Sequence, residues 1–197
     1  DYKDMWTVDV FDIFNDSYGV EKNNISKEYI ESSEKLNPSN RNNIIGVQSQ
    51  IWSETIRNED ILDYMFMPNI IVFSQKAWSQ DPEWMKIPDK TKREFTLEFE
   101  WNKFTNTIGQ RVLPIIDNIY GGLSYDLPKP GGIIKNDSLY ANSVFPGLNI
   151  KYTLDGSLPD IESMNYNNPV KLNKDDVVNL RLFDDKGRGG YPIQVDK

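Results

Sequence analysis

The tripeptide Trp52-Ser53-Glu54 places an aromatic ring and a carboxylate at a spacing that could hold a ligand. In an extended chain, residues two positions apart point to the same side, so Trp52 and Glu54 would face one space. A sugar ring could stack on Trp52 while its hydroxyl groups donate hydrogen bonds to Glu54. The alternative interpretation of the same pattern is a tryptophan in the core followed by a solvated glutamate.

The elements around this tripeptide have the pattern of one β/α unit. The apolar run 44–47 predicts a strand buried on both faces, and the tripeptide ends that strand. Asn58 is predicted to cap the next helix, in which apolar residues recur over 62–77 at three- and four-residue steps. Pro68 should kink or restart this helix. Because parallel α/β folds build their sites at the carboxyl ends of strands, the tripeptide would lie at such a site.

Composition excludes several classes of function. The 197 residues carry a net charge of −8 and contain neither cysteine nor histidine. We therefore expect no cofactor, no metal site and no Cys/His nucleophile pair. An acidic chain without a basic cluster is a poor nucleic-acid binder, and no apolar run is long enough to predict a membrane span. A hydrophobic content of 38% predicts a packed core, and the chemistry left is that of carboxylates, hydroxyls and aromatic rings.

The strand, the tripeptide, the capped helix with its internal proline and the terminal Ala77-Trp78 together resemble one known unit. They are similar to the last β/α unit of the family 20 glycoside hydrolases, the β-N-acetylhexosaminidases, whose eighth barrel strand carries W-x-E. This sequence has Asn69 and Gln75 where that pattern has Arg and Glu. We interpret the two substitutions as a structural ion pair that became a neutral pair.

Tyr2 and Asp4 resemble the Y-x-D pattern that ends the seventh strand of the same family. An alternative interpretation is that residues 1–4 begin an epitope tag and that Met5 is a start codon. A short helix over 28–36 would belong to the seventh unit. Residues 1–80 would then supply the last two units of a (β/α)8 TIM barrel, the C-terminal part of its catalytic domain.

A connector and a long amphipathic helix are predicted over 81–124. Thr91 and Glu94 have the spacing of a capping box, and apolar residues follow over 97–119 at steps of three and four. Pro114 should bend the last turns of this helix. The pattern W-N-x-F…G within 101–109 resembles the segment that follows the barrel in bacterial chitobiase-type enzymes, where it packs.

Residues 125–197 predict a small β-sandwich that serves as an accessory domain. A Pro/Gly linker over 125–131 precedes alternating apolar runs at 150–154, 170–172 and 178–182. The pattern over 146–159 resembles the immunoglobulin-like C-terminal domain of the chitobiase-type enzymes. The predicted fold class is therefore α+β, with the end of a TIM barrel, a long helix and a β-sandwich. Such a sandwich could also bind carbohydrate.

The resemblance implies the C-terminal part of an exo-acting β-N-acetylhexosaminidase. That enzyme removes terminal N-acetylglucosamine or N-acetylgalactosamine by substrate-assisted, retaining hydrolysis, in which the acetamido group attacks its own anomeric carbon. Tyr2 would bind the acetamido oxygen, Trp52 would form a wall of the pocket, and Asp4 and Glu54 would accept hydrogen bonds from hydroxyls. The family's catalytic Asp-Glu dipeptide is absent from these residues, so we expect no catalytic residue here and an inactive isolated chain.

Partners and location follow from the same resemblance. The expected partners are an N-acetylhexosamine-terminated oligosaccharide and the N-terminal part of the barrel. The chain is interpreted as a piece of a bacterial protein that is secreted, periplasmic or on the cell surface. A protein of another class remains as the alternative, namely a non-catalytic carbohydrate-binding or cell-surface interaction module.

Overall fold

The computed structural model of the protein describes residues 2–7 and 37–196, without the side chains of Asp4, Pro38 and Arg41. The helix predicted over 28–36 lies outside the described residues. The chain forms two compact units, residues 1–101 and 102–197. None of the helices in the described ranges combines the length and the apolar character needed to cross a bilayer.

The described part of the first unit, residues 2–7 and 37–101, contains helices and no strand. Its α-helices are α1 (Tyr2–Thr7), α2 (Glu59–Phe66), α3 (Asn69–Trp78) and the start of α4 (Lys90–Thr107). Short 3-10 helices lie at Pro38–Asn43 and Glu83–Lys86. The core includes Trp6, whose ring centroid lies 5.5 Å from that of Trp101 and 6.5 Å from that of Trp84.

The helix after the tripeptide forms as its local signals predict. Asn58 caps α2, because its side-chain oxygen accepts a hydrogen bond from the backbone N–H of Ile61 at 2.9 Å. Pro68 separates α2 from α3, which confirms the predicted interruption. The expected pairing of Asn69 with Gln75 is wrong. Asn69 donates to the carbonyl of Met65 and Gln75 donates to Ser79, because each amide finds an acceptor four residues away.

The strand predicted over 44–47 is wrong for these residues. The chain from 44 to 53 has no regular secondary structure, and Ile45 is fully exposed. A strand needs a hydrogen-bonded neighbour, and the described part of the first unit contains no other strand. Apolar pattern alone therefore does not produce a strand here.

The end of a barrel strand predicted at Tyr2 and Asp4 is also wrong. Both residues lie in helix α1, which packs against α3. Trp6 and Thr7 of the same short helix are buried. The Trp6 ring packs against the rings of Trp84 and Trp101, and residues 37–101 contain no strand with which α1 could pair.

The long helix starts and ends differently from the prediction. Asp89, and not Thr91, precedes α4, and its carboxylate accepts a hydrogen bond from the backbone N–H of Lys92 at 2.8 Å. A π-helical turn at Ile108–Val112 follows, then α5 (Leu113–Ile116) and a 3-10 turn at Ile119–Gly121. The turn extends the hydrogen-bond spacing to five residues, since the Leu113 N–H donates to the Ile108 carbonyl.

The second unit carries two antiparallel sheets. The strands are β1 (Gly131–Lys135), β2 (Ser138–Asn142), β3 (Asn149–Thr153), β4 (Met164–Asn165), β5 (Val170–Lys171), β6 (Val178–Phe183) and β7 (Ile193–Val195). Their order is β1-β2-β5 in one sheet and β4-β3-β6-β7 in the other. Leu139 of the first sheet shares one buried core with Tyr152 and Leu180 of the second. The arrangement is that of a small β-sandwich, and its immunoglobulin-like topology stays a prediction.

The predicted linker over 125–131 is only partly a linker. The side chains of Tyr125 and Leu127 are buried in the second unit, as those of a flexible linker would not be. Strands β1, β2, β4 and β7 were not predicted, whereas β3, β5 and β6 lie at the alternating apolar runs. The residues 185–188 have the composition of a turn, and this prediction is confirmed, since Gly187 there has a φ of +81°.

Gly109 fixes the approach of the π turn to the loop before β3. A β-carbon at Gly109 would overlap the carbonyl oxygen of Pro146. A β-carbon at Gly147, where φ is +106°, would lie 3.2 Å from the carbonyl oxygen of Gly109. The W-N-x-F…G motif and the motif over 146–159 therefore meet at two glycines, and each glycine leaves room for a backbone carbonyl of the other segment.

Replacing Gly109 by alanine should destabilise the chain by about 1–3 kcal/mol, because the backbone of Pro146 must move away from the new methyl group. The free energy of unfolding in urea measures this loss. Gly46→Ala is the matched control, since nothing lies within 4 Å of a β-carbon there. Equal stability of the two variants would show that the close approach is not a constraint.

Candidate substrate site

Trp52 does not belong to the core. Its side chain is 73% exposed, and Val47 and Ile51 before it are also exposed. Within the described residues, no ring contact or hydrogen bond holds the indole. Trp52 is therefore not a core residue in this structure.

Glu54 lies in a turn directly before helix α2. The backbone N–H of Ile56 donates to the carbonyl of Ser53 at 3.1 Å, which leaves Glu54 and Thr55 at the centre of the turn. The Glu54 side chain is exposed, and in the described residues no cation pairs with it. An exposed ring and an exposed carboxylate two residues apart can stack a sugar and accept hydrogen bonds from its hydroxyl groups.

The four predicted site residues stand on two separate elements. Tyr2 is half-buried in helix α1, and Asp4 lies on the same helix with its side chain outside the described residues. Trp52 and Glu54 lie in the irregular segment between residue 44 and the Asn58 cap. A common pocket formed by all four stays a prediction.

A second polar cluster, which the sequence did not reveal as such, lies inside the second unit. Arg188 forms ion pairs with Asp117 and with Asp184, the latter at 2.5 Å, and donates to the carbonyl of Leu123 at 2.9 Å. The guanidinium also lies 4.5 Å from the ring centroid of Tyr125. The sequence over 185–188 predicted a turn and nothing more.

Two carboxylates of this cluster share one guanidinium. Burial and the neighbouring Asp117 carboxylate raise the pKa of Tyr125, so its hydroxyl stays protonated and donates to Asp117 at 3.2 Å. Burial disfavours the charge of Arg188, but the hydrogen bond to Asp184 and the nearby charges of Asp184 and Asp117 together outweigh this effect and raise the pKa of the guanidinium. Because the two carboxylates depend on one guanidinium, loss of Arg188 would leave both of them without this cation.

Two stretches of this chain match known protein families. Residues 4–81 match the family described as the glycosyl hydrolase family 20 catalytic domain. Residues 113–190 match the chitobiase/beta-hexosaminidase C-terminal domain. Over residues 4–81 the chain is thus similar to glycosyl hydrolase family 20. This match contains Asp4, Trp52 and Glu54, and the order of the two matches is the order predicted from the motifs.

Two curated bacterial family 20 relatives have similar sequences. The N,N'-diacetylchitobiase of Vibrio harveyi is 32% identical over 124 residues, which are 56% of this chain and 13% of that protein. The beta-hexosaminidase of Vibrio vulnificus is 28% identical over 167 residues, which are 77% of this chain and 19% of that protein. The chain thus spans less than a fifth of the length of either relative.

Proposed function

We propose that this chain is the C-terminal part of an exo-acting β-N-acetylhexosaminidase that removes terminal N-acetylglucosamine or N-acetylgalactosamine. One observation carries the proposal. The match to the family 20 catalytic domain includes Trp52-Ser53-Glu54, and both the ring and the carboxylate of that tripeptide are exposed. A glycan is thus the proposed partner, and export from a bacterial cell is the proposed location.

The proposed mechanism uses the substrate's own acetamido group as nucleophile, an exception to the two-carboxylate scheme of most glycosidases. Trp52 would form a wall of the pocket, and Glu54 and Asp4 would accept hydrogen bonds from sugar hydroxyls. Tyr2 would donate to the acetamido oxygen. These four residues position the sugar. The acid and the orienting carboxylate are an Asp-Glu pair that this chain does not contain.

The segment 44–52 would become a barrel strand once neighbouring strands lie beside it. Its apolar side chains are exposed, and burying an aliphatic side chain of this size contributes about 1.5–3 kcal/mol. Neighbouring strands would also pair the backbone N–H and C=O groups of the segment. In that arrangement Trp52 and Glu54 would point together into the site at the carboxyl end of the strand. We also propose the domain limits 1–80, 81–124 and 125–197.

The whole protein should hydrolyse para-nitrophenyl N-acetyl-β-glucosaminide and leave para-nitrophenyl β-glucoside intact, because the second substrate lacks the acetamido nucleophile. The isolated 197-residue chain should hydrolyse neither substrate, because the acid is missing. Release of para-nitrophenolate by both proteins, measured side by side, tests the two statements.

Two results would contradict the proposal. One is equal turnover of both substrates by the whole protein, which would point to a glycosidase with a nucleophile of its own. The other is turnover by the isolated chain that is lost in a Glu54→Ala variant. Absence of any turnover by the whole protein, together with retained sugar binding, would favour the non-catalytic carbohydrate-binding alternative.

A further inference from the structure

The outer face of the sheet β1-β2-β5 presents apolar side chains to solvent. Ile133 and Tyr140 lie directly opposite each other on β1 and β2, and they are 61% and 44% exposed. Their neighbours Ile134 and Leu139 point the other way, into the core of the sandwich. The exposed pair is therefore a surface feature of the sheet and not a gap in the core.

The other sheet does not share this feature. On its outer side Arg181 lies over the ring of Phe183, 5.1 Å from the centroid, and Phe183 is buried. The Arg181 guanidinium donates to the carbonyl of Gly190 at 2.7 Å and to that of Gly189 at 3.3 Å. The chain thus covers the aromatic ring on one sheet with its own loop and leaves Tyr140 on the other sheet open.

Polar groups flank Tyr140 at both ends of the pair. Asn142 lies opposite Gly131, and a β-carbon on Gly131 would overlap the amide oxygen of Asn142, so the amide lies over the glycine. Two residues along a strand are about 7 Å apart, so a six-membered sugar ring on Tyr140 reaches the Asn142 amide. Ser138 lies two residues before Tyr140 on β2, opposite Lys171 of β5.

Two lysines lie on this face. Lys135, directly opposite Ser138, is exposed. The Lys171 ammonium lies 3.5 Å from the Asp137 carboxylate and donates to the carbonyl of Asn136 at 3.1 Å. An aromatic ring, an aliphatic side chain, an amide and a hydroxyl suit a ligand that is rich in hydrogen-bonding groups. One lysine beyond the Lys171–Asp137 pair does not suit a nucleic acid, whose backbone needs a cluster of cations.

We propose that this face binds an N-acetylhexosamine unit of an oligosaccharide, at a position separate from Trp52 and Glu54. The sugar ring stacks on Tyr140, the acetamido methyl group contacts Ile133, and the Asn142 amide pairs with the acetamido group or a hydroxyl. The choice of sugar rests on the proposed function, whereas the geometry of the face does not. Such a surface would hold a long or insoluble substrate near the enzyme without taking part in hydrolysis.

The test is a titration of the 15N-labelled 197-residue chain with N,N'-diacetylchitobiose, followed by amide chemical shifts. Shifts should change within 131–142 at millimolar sugar, and Tyr140→Thr should weaken binding by about tenfold or more. Tyr140→Trp keeps an aromatic ring and should keep binding. Tyr191→Thr is the matched control, because Tyr191 is an exposed tyrosine outside this sheet. Cellobiose, which lacks acetamido groups, should bind more weakly.

Several results would overturn the proposal. One is the absence of any shift change within 131–142. Another is an equal affinity of the Tyr140→Thr and Tyr191→Thr variants for the sugar. Shifts confined to 44–54 would overturn it while supporting the proposed function. Shifts that change with protein concentration and not with sugar would show that a second copy covers the face, which would also overturn it. Hydrolysis of soluble substrate by the whole protein should be unaffected by Tyr140→Thr, so the two proposals fail separately.

Discussion

Replacing Trp52 by alanine in the whole enzyme should lower kcat/KM by roughly 100-fold. A stacked ring contributes about 0.5–1.5 kcal/mol beyond the apolar area that it buries, and the buried area of an aromatic side chain adds about 1.5 kcal/mol or more. Glu54→Gln should cost less, roughly tenfold, because the amide oxygen still accepts a hydrogen bond but carries no charge. Steady-state kinetics on the para-nitrophenyl substrate measures both losses.

The division of the loss between kcat and KM tests the role of Trp52. Where contacts with a residue hold the sugar in the shape needed for attack by the acetamido group, the loss falls on kcat as well as on KM. A residue that binds the ground state and the transition state equally raises KM alone. We expect kcat to fall, and Trp52→Phe to retain an intermediate rate because it keeps a ring.

Thermal unfolding separates this role from a structural one. In the proposed site Trp52 lines the pocket and does not lie in the core, so its replacement should leave the melting temperature of the whole enzyme within a few degrees of the parent. A much lower melting temperature with a normal kcat per folded molecule would show that Trp52 is a core residue of the complete barrel. That result would remove Trp52 from the proposed site.

Arg188→Met should destabilise the second unit by about 3 kcal/mol. The substitution leaves the buried carboxylates of Asp117 and Asp184 without their shared cation, and breaking a buried pair from one side costs about 3–5 kcal/mol. The lower end applies because about a third of the Arg188 side chain is exposed and solvent screens part of the interaction. Urea unfolding of the 197-residue chain measures the change.

Lys171→Met is the matched control for this loss. The Lys171–Asp137 pair is exposed on both sides, and such pairs contribute about 0–1 kcal/mol. A loss for Arg188→Met no greater than that for Lys171→Met would show that water replaces the guanidinium. The cluster would then have no part in holding the end of α5 to the turn at 185–188.

The sequence predicted those elements whose signals are local. The Asn58 cap and the break at Pro68 depend on a single residue and its nearest neighbours, and both are in place. Strands β3 and β6 have one face in the core of the sandwich, so the alternation of apolar and polar residues marks them. Signals of this kind do not require knowledge of distant residues.

The predictions that were wrong depend on residues far along the chain. The run over 44–47 has the composition of a buried strand, but a strand forms only beside a partner. The helical prediction over 97–119 missed the π turn, which adds a residue to one turn. Leu113 and Ile116 are buried as a result, and Ile115, which the regular spacing placed inside, is exposed. The cluster around Arg188 joins residues up to 71 positions apart, so no local pattern marks it.

The exposed segment from Ile44 to Trp52 has a consequence for how the chain behaves in concentrated solution. Its nine residues contain no charge and no proline, and its isoleucines and valine favour extended backbone. Uncharged, proline-free segments of six or seven residues are those that stack between chains into cross-β fibrils. Neighbouring strands of a closed barrel would remove this hazard, because they would occupy the backbone groups that another copy would otherwise pair with. Closure of the barrel would therefore protect the protein against aggregation as well as assemble its site.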